Sequence, residues 1–272
     1  MEYLKLICIG LVLGSTVVIP GISAGTMAIV FNVYERLIGI ITPNVKKILS
    51  AWKFWLPLVI GGAAGVFFFS KAITILYENY EIPTLWFFIG IITGSLPLVY
   101  KRAGIQRGAF AQIICAVLAL AVMIVMAALN PGSSSTVYSE LTPQLFGILV
   151  LAGVLSAIAL IIPGISGAFL LLVIGLHRTA LLAVSELNIP LLIPFVTGAA
   201  AGLLIGAAFV RFLLARAPKQ TYGAVLGLVA GSIIVLYPGS LGEGLMTVFS
   251  VISLLAGAAI SYFFSSKNLK NT

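Results

Sequence analysis

The sequence predicts an all-α integral membrane protein in which two inverted halves each join a re-entrant or broken helical hairpin to three transmembrane helices. Three observations predict it. Of 272 residues, 61% are hydrophobic and only 8% charged, with a mean hydropathy of +1.21, a composition foreign to soluble domains. Loops bearing Lys and Arg alternate with loops that have none. Finally, Pro20-Gly21-Ile22-Ser23 returns as Pro163-Gly164-Ile165-Ser166, each copy inside an apolar stretch. No soluble domain fits between the spans, so residues 1–272 form one polytopic unit.

Residues 1–41 form the first hairpin. Its apolar run from Leu6 to Leu13 resembles a secretion leader, but it belongs to one of two matching halves and is read as a membrane element. The basic loop 42–53 (Lys46, Lys47, Lys53) leads to a span at 54–76, the loop 77–82 (Glu78, Glu81) to a span at 83–100, and the basic loop 101–108 (Lys101, Arg102, Arg107) to a span at 109–129. After the loop 130–143 (Glu140) comes the second hairpin, 144–183. The loop 184–189 (Glu186), a span at 190–215, the basic loop 216–220 (Arg216, Lys219), a span at 221–237, the loop 238–244 (Glu243), a span at 245–264 and a basic tail (Lys267, Lys270) complete the chain. These spans suit a hydrocarbon core of ~30 Å. Lys and Arg in short loops favour the cytoplasmic side, which puts both termini there and accounts for the net charge of +8 without nucleic acid. Cys8 and Cys115 sit in apolar segments without metal-type spacing and read as packing residues.

The duplication extends beyond the motif. Ile19 to Ser23 match Ile162 to Ser166 at an offset of 143 residues; Pro57, Gly61, Gly65, Thr84, Gly90, Gly94, Ser95 and Tyr100 match Pro194, Gly198, Gly202, Thr221, Gly227, Gly231, Ser232 and Tyr237 at an offset of 137. One six-residue deletion reconciles the two. Matches in Pro, Gly, Ser and Tyr point to internal duplication, with repeats at 1–129 and 143–265. Each hairpin must enter and leave on one side. The first is flanked by a cytoplasmic loop and the second by external ones, so the halves are inverted. Each hairpin is either re-entrant, with its tip at mid-membrane, or two complete spans whose turn reaches the far surface; an uncharged turn tightly flanked by apolar residues favours re-entry.

A Pro-Gly break at membrane depth leaves backbone polar groups that need protein, water or ligand as partners, and such breaks concentrate at transport sites. Ser23 and Ser166 are placed to cap the half-helices opened by Ala24, Gly25 and Thr26 or by Gly167 and Ala168. Two helix starts meeting from opposite leaflets form an anion site without a buried Lys. A single copy of the motif would be no more than a tight turn; symmetric duplication argues for function.

Intramembrane charges are costly and mark function. Near the motif stand Glu35, Arg36, His177 and Arg178. Arg36 lies 13 residues beyond Ser23 and Arg178 12 beyond Ser166, roughly 18–20 Å along a helix, so one arginine would reach each headgroup zone and offer a fork of donors to a phosphate. The plainer alternative is an arginine snorkelling at a helix end. Glu35 is expected to pair with Arg36, and a proton-exchanging role is the alternative. His177 reads as an interfacial packing residue, and Lys71 and Arg211 as snorkelling ones.

Ile19-Pro-Gly-Ile-Ser-Ala-Gly-Thr-Met27 followed by Tyr34-Glu35-Arg36-Leu37, with Pro163-Gly-Ile-Ser-Gly-Ala-Phe169 and Gly175-Leu-His177, resembles the PopT family of bacterial polyprenyl-phosphate transporters over nearly the whole chain. The resemblance implies a flippase of the bacterial cytoplasmic membrane that returns undecaprenyl phosphate, the lipid carrier of wall and surface-glycan synthesis, from the outer leaflet to the inner. It implies no cofactor and no metal. Ala24 stands where the family has a second glycine, and His177-Arg178 where tyrosine and an acidic residue are commoner. Whether a proton or sodium drives transport and whether the chain forms a homodimer are left open. Two alternatives are weighed. A membrane phosphatase acting on undecaprenyl pyrophosphate shares a Pro-Gly-x-Ser turn, but needs paired Glu residues and an arginine after the serine; here Ala24 and Gly167 follow the serines, and residues 6–34 contain no acid. A small-anion channel or exchanger would use the same helix ends for a soluble ion.

Overall fold

The computed structural model describes residues 2–17, 23–105, 109–128, 138 and 140–269. The regular elements among them are all helices: α1 (Glu2–Val17), α2 (Ala24–Val30), α3 (Tyr34–Ile40), α4 (Val45–Ser50), α5 (Trp52–Asn79), α6 (Glu81–Ala103), α7 (Phe110–Ala128), α8 (Pro143–Ile161), α9 (Gly167–Ile174), α10 (His177–Ser185), α11 (Ile189–Arg216), α12 (Pro218–Leu236) and α13 (Leu245–Leu269). Six of them, α6, α7, α8, α11, α12 and α13, are long and apolar enough to cross a membrane. The 28-residue α5 is longer than most, with its apolar stretch at Trp52–Phe68. The expected spans fall on α5, α6, α7, α11, α12 and α13. α8 adds to them: assigned from sequence to one limb of a hairpin, its 19 residues reach a full span's length.

Local chemistry sets the helix ends. α8 stops at Ile161 because Pro163 has no N–H to continue the ladder and Gly164 turns the chain at a φ of +91°. Thr142, Asn44 and Asn188 open α8, α4 and α11 by accepting the N–H groups of Leu145, Lys47 and Leu191. The short α4 was not expected: it forms inside the basic loop, buries none of its residues, and sets Lys46 and Lys47 beside exposed Val45 and Leu49, a composition suited to a membrane surface. The six-residue difference between the two offsets falls in this region, since α3 and α10 start 143 residues apart and α5 and α11 start 137 apart.

Four helix pairs carry the packing, α1 with α5, α8 with α11, α6 with α13 and α7 with α12. Each pair is parallel, because the contacts advance together along both helices. A side chain at Gly61 would strike the Ile7 carbonyl and one at Gly65 the Leu11 carbonyl; Gly198 and Gly202 meet the Val150 and Val154 carbonyls in the same way. Gly90 and Gly94 lie on Leu254 and Ala258, while Gly223 and Gly227 lie on Gln112 and Ala116. Lipid tails are as apolar as the side chains, so close backbone approach through small residues holds such pairs together. The contacts recur at the sequence offsets: Ile7 with Gly61 becomes Val150 with Gly198. Ile29, Ile38, Phe54, Leu58, Ile89, Val99, Ala207 and Val229 form a continuous core in which α2 and α3 are enclosed. Phe67, Phe110, Leu118 and Phe212 face outward, toward the region where a bilayer is the solvent.

Candidate functional site

The site is built where the start of α2 meets the chain break that follows α8. Pro20 and Gly21 lie outside the described residues; Ser23, Pro163, Gly164 and Ser166 lie within them, and all four are buried. Thr26 Oγ1 accepts the N–H of Gly164 at 2.8 Å. Ser23 holds the N-cap position of α2 with extended backbone, yet its hydroxyl does not cap that helix; it donates instead to the Ile162 carbonyl at 3.4 Å. The expected cap is thus replaced by a bond across to the other break. Gly25 permits the approach, because a side chain there would come within 3.1–3.2 Å of the Ile161 carbonyl and Pro163. The phenol of Tyr34 adds a third hydrogen bond, donating to the Ile161 carbonyl at 3.1 Å. The Ile161 and Ile162 carbonyls and the Gly164 N–H at the proline break are therefore satisfied from α2 and the start of α3. Ser166 receives the Leu170 N–H on its carbonyl at 3.0 Å, Gly167 packs on the Ser156 carbonyl, and Ala24 and Ala168 are half-buried.

Downstream of each break the backbone turns alike. Asn32 (φ +58°) and Gly175 (φ +81°) take the left-handed conformation, and the bonds Val33 N–H to Ala28 O and Leu176 N–H to Leu171 O are both 2.9 Å, the pattern of a helix closed by a left-handed residue. Tyr34 and His177 therefore open α3 and α10 at the same place, and Arg178 stands where Glu35 stands. The counterpart of Arg36 is Thr179, which is buried. Arg36 and Arg178, paired in the sequence by their nearly equal spacing, are thus one position out of register. Both are exposed and His177 is half-buried.

The charges also pair differently from expectation. Glu35 does not bond its neighbour Arg36; its carboxylate lies 3.6 Å from Arg102 and accepts the Tyr222 hydroxyl. Arg102 donates to the Tyr222 oxygen at 2.9 Å and to the Asn32 side-chain carbonyl, tying the α2–α3 turn to the end of α6 and the start of α12. Arg36 instead lies over the ring of Phe54, 4.1 Å from its centroid. Arg211 does not snorkel: its guanidinium donates to the carbonyls of Ile38, at 2.6 Å, and Ile41, at the C-terminus of α3, where cations are favoured.

A cleft of about 1120 Å³ opens beside this group, between α1, α2, α13 and the facing ends of α5 and α6. Met27, Val30, Phe31, Phe87, Ile91 and Ile252 are among its walls, and Lys5 is the one charged side chain among the described residues of its lining. The hydroxyls of Ser15 and Thr16 on that lining are turned back to the Val12 and Leu13 carbonyls, leaving the α1 side of a mostly apolar wall without free hydroxyl hydrogens. No group of three metal-ligating side chains occurs among the described residues.

The sequence pattern of the VCA0040-like family, described as undecaprenyl phosphate translocase-like, matches residues 13–253, a stretch that contains both breaks and the Arg102 cluster. The chain belongs to this family. Among relatives of this chain, a polyprenyl-phosphate transporter of Staphylococcus aureus (strain NCTC 8325 / PS 47) is 28% identical over 265 residues, covering 93% of this chain and 92% of the relative. A polyprenyl-phosphate transporter of Vibrio cholerae serotype O1 (strain ATCC 39315 / El Tor Inaba N16961) is 27% identical over 252 residues, covering 88% and 79%. No solved structure matches significantly. Arg102, Asn32 and Tyr222 are the residues that sequence inspection passed over: Arg102 counts there as one more loop cation, and nothing local signals that Tyr222, 120 residues away, is its partner.

Proposed function

We propose that the protein moves undecaprenyl phosphate, or a closely related polyprenyl phosphate, across the bacterial cytoplasmic membrane by alternating access. The phosphate passes the two helix breaks and the isoprenoid chain stays in apolar surroundings. The observation that carries this reading is the direct bonding of the start of α2 to the break after α8, Gly164 N–H to Thr26 and Ser23 to the Ile162 carbonyl. Groups that satisfy one another in the closed state become donors and acceptors for a headgroup when the breaks part. The apolar cleft supports a lipid rather than a soluble substrate, and the names of both relatives agree.

The two halves form an inverted repeat in this proposal, supported by the matched helix pairs and matched turns. The end that carries α4, the C-termini of α6 and α11 and the N-termini of α7 and α12 faces the cytoplasm, as its Lys and Arg content favours. Within the cycle Arg36 and Arg178 receive the headgroup at the two surfaces, with Glu35 and His177 beside them. The deciding experiment follows undecaprenyl phosphate leaflet by leaflet in proteoliposomes, with and without a proton or sodium gradient. Protein-dependent movement of the lipid supports the proposal. Release of inorganic phosphate from undecaprenyl pyrophosphate would establish a hydrolase instead, and efflux of free phosphate without lipid movement an anion channel.

A further inference from the structure

Arg102 and Glu35 are unequal partners. The side chain of Arg102 is 15% exposed and that of Glu35 61%. A guanidinium withdrawn from water requires acceptors around it, whereas an exposed carboxylate loses little on returning to solvent. The carboxylate lies 3.6 Å from one prong of the guanidinium and does not form the two-pronged pairing that this group makes with phosphates and carboxylates. Arg102 is held by Tyr222 and Asn32, while Glu35 is the part that can be exchanged.

We propose that Arg102, Tyr222 and Asn32 form a binding site for the phosphate monoester of a lipid at the basic end of the molecule, and that the Glu35 carboxylate occupies it when no ligand is bound. The inference rests on the polyprenyl-phosphate function proposed above. A phosphate arriving at Arg102 accepts from both prongs of the fork, and the Tyr222 hydroxyl, which donates to Glu35 in this structure, turns its hydrogen to a phosphate oxygen. The Asn32 amide supplies a further donor from its nitrogen. Glu35 then swings into solvent.

The chain's own layout joins this site to the cleft. Phe31 is a wall of the cleft and Asn32, the next residue, is bonded to Arg102. An isoprenoid chain lying along Met27, Val30 and Phe31 therefore ends one residue from the cluster. Glu35 also ties α3 to α6 and α12, so its displacement releases the start of α3 at the moment the lipid binds.

The test measures binding of farnesyl phosphate to the purified full-length protein in detergent, with inorganic phosphate as a second probe and thermal unfolding as a check on each variant. Arg102→Gln should weaken binding about tenfold or more, the loss expected for hydrogen bonds to a charged group, and Arg102→Lys should fall between it and the wild type because a point charge lacks the fork. Glu35→Gln should tighten binding about 2–5-fold, as removal of an exposed competing charge predicts. Tyr222→Phe, which keeps the ring, should weaken it and decides the matter if Arg102→Gln does not fold. Unchanged affinity in Arg102→Gln, or weakening in Glu35→Gln, overturns the site and makes the pair a structural tie, while wild-type binding of farnesyl phosphate leaves the lipid function standing. Binding of inorganic phosphate alone with the same dependence on Arg102 and Glu35 keeps the site and removes the lipid. Binding of neither probe by the wild type overturns both.

Discussion

At the scale of single residues, Thr26 does the least replaceable work at the crossing of the breaks. Its hydroxyl is the acceptor for the Gly164 N–H, and both residues are buried. Thr26→Val keeps the shape and removes the acceptor, so an amide hydrogen is left unsatisfied. The expected loss is about 1–3 kcal/mol of stability, read as a lower unfolding temperature in detergent; a variant that unfolds with the wild type would show the bond to be dispensable. Arg36→Ala and Arg178→Ala should each impair lipid movement in proteoliposomes while leaving the fold intact, and normal transport by both variants would end their proposed role in headgroup capture. The sequence exposed these residues by type, since few charges stand near the motif. It did not expose their partners. Glu35 lies 187 positions from Tyr222, and no periodicity reports a contact across that separation. The near-equality of 12 and 13 residues also concealed a shift in register, because one position along a helix turns a side chain by about 100° and places Thr179, not Arg178, opposite Arg36.

At the scale of helices, adjacent glycines in α5 differ in what they can tolerate. A side chain at Gly61 would strike the Ile7 carbonyl, whereas one at Gly62 would meet nothing closer than 3.7 Å. Gly61→Ala should cost about 1–3 kcal/mol through forced separation of α1 and α5, and Gly62→Ala should be close to neutral. The second half of the chain agrees with this contrast, having Gly198 at the position matching Gly61 and Ala199 at the one matching Gly62. Equal unfolding temperatures for the two variants would contradict the close α1–α5 seam. Helix content and the glycine spacing were both plain in the sequence, because a membrane span must satisfy its backbone internally and close packing there requires small residues. Which helices the glycines join was not plain, because spacing identifies a face and not its partner. The short α4 escaped as well: six residues carry too little periodicity to stand out from a basic loop, and its helix rests on the cap from Asn44.

For the whole molecule, the alternation of basic and non-basic loops predicts sidedness. With Cys8 and Cys115 replaced, a single cysteine at Lys219 should be shielded from a membrane-impermeant maleimide in intact cells and one at Ser240 should be labelled; the reverse pattern would invert the orientation. The all-helical membrane class and the order of the long helices other than α8 were legible because hydropathy and loop charge are read along the chain. The way the halves interlock was not, since it depends on contacts between distant segments.

That interlocking has a consequence for biosynthesis. The partner of α6 is α13 and the partner of α7 is α12, so the glycine seam on α6 and the face of α7 that receives the glycines of α12 wait for helices that leave the ribosome more than a hundred residues later, whereas the α1–α5 seam closes early. Until then Gly90 and Gly94 face lipid, chaperone or insertion machinery. A nascent chain arrested before α13 is complete should accordingly be a substrate for membrane proteolysis, and the two halves expressed separately should accumulate only when made together in the same cell.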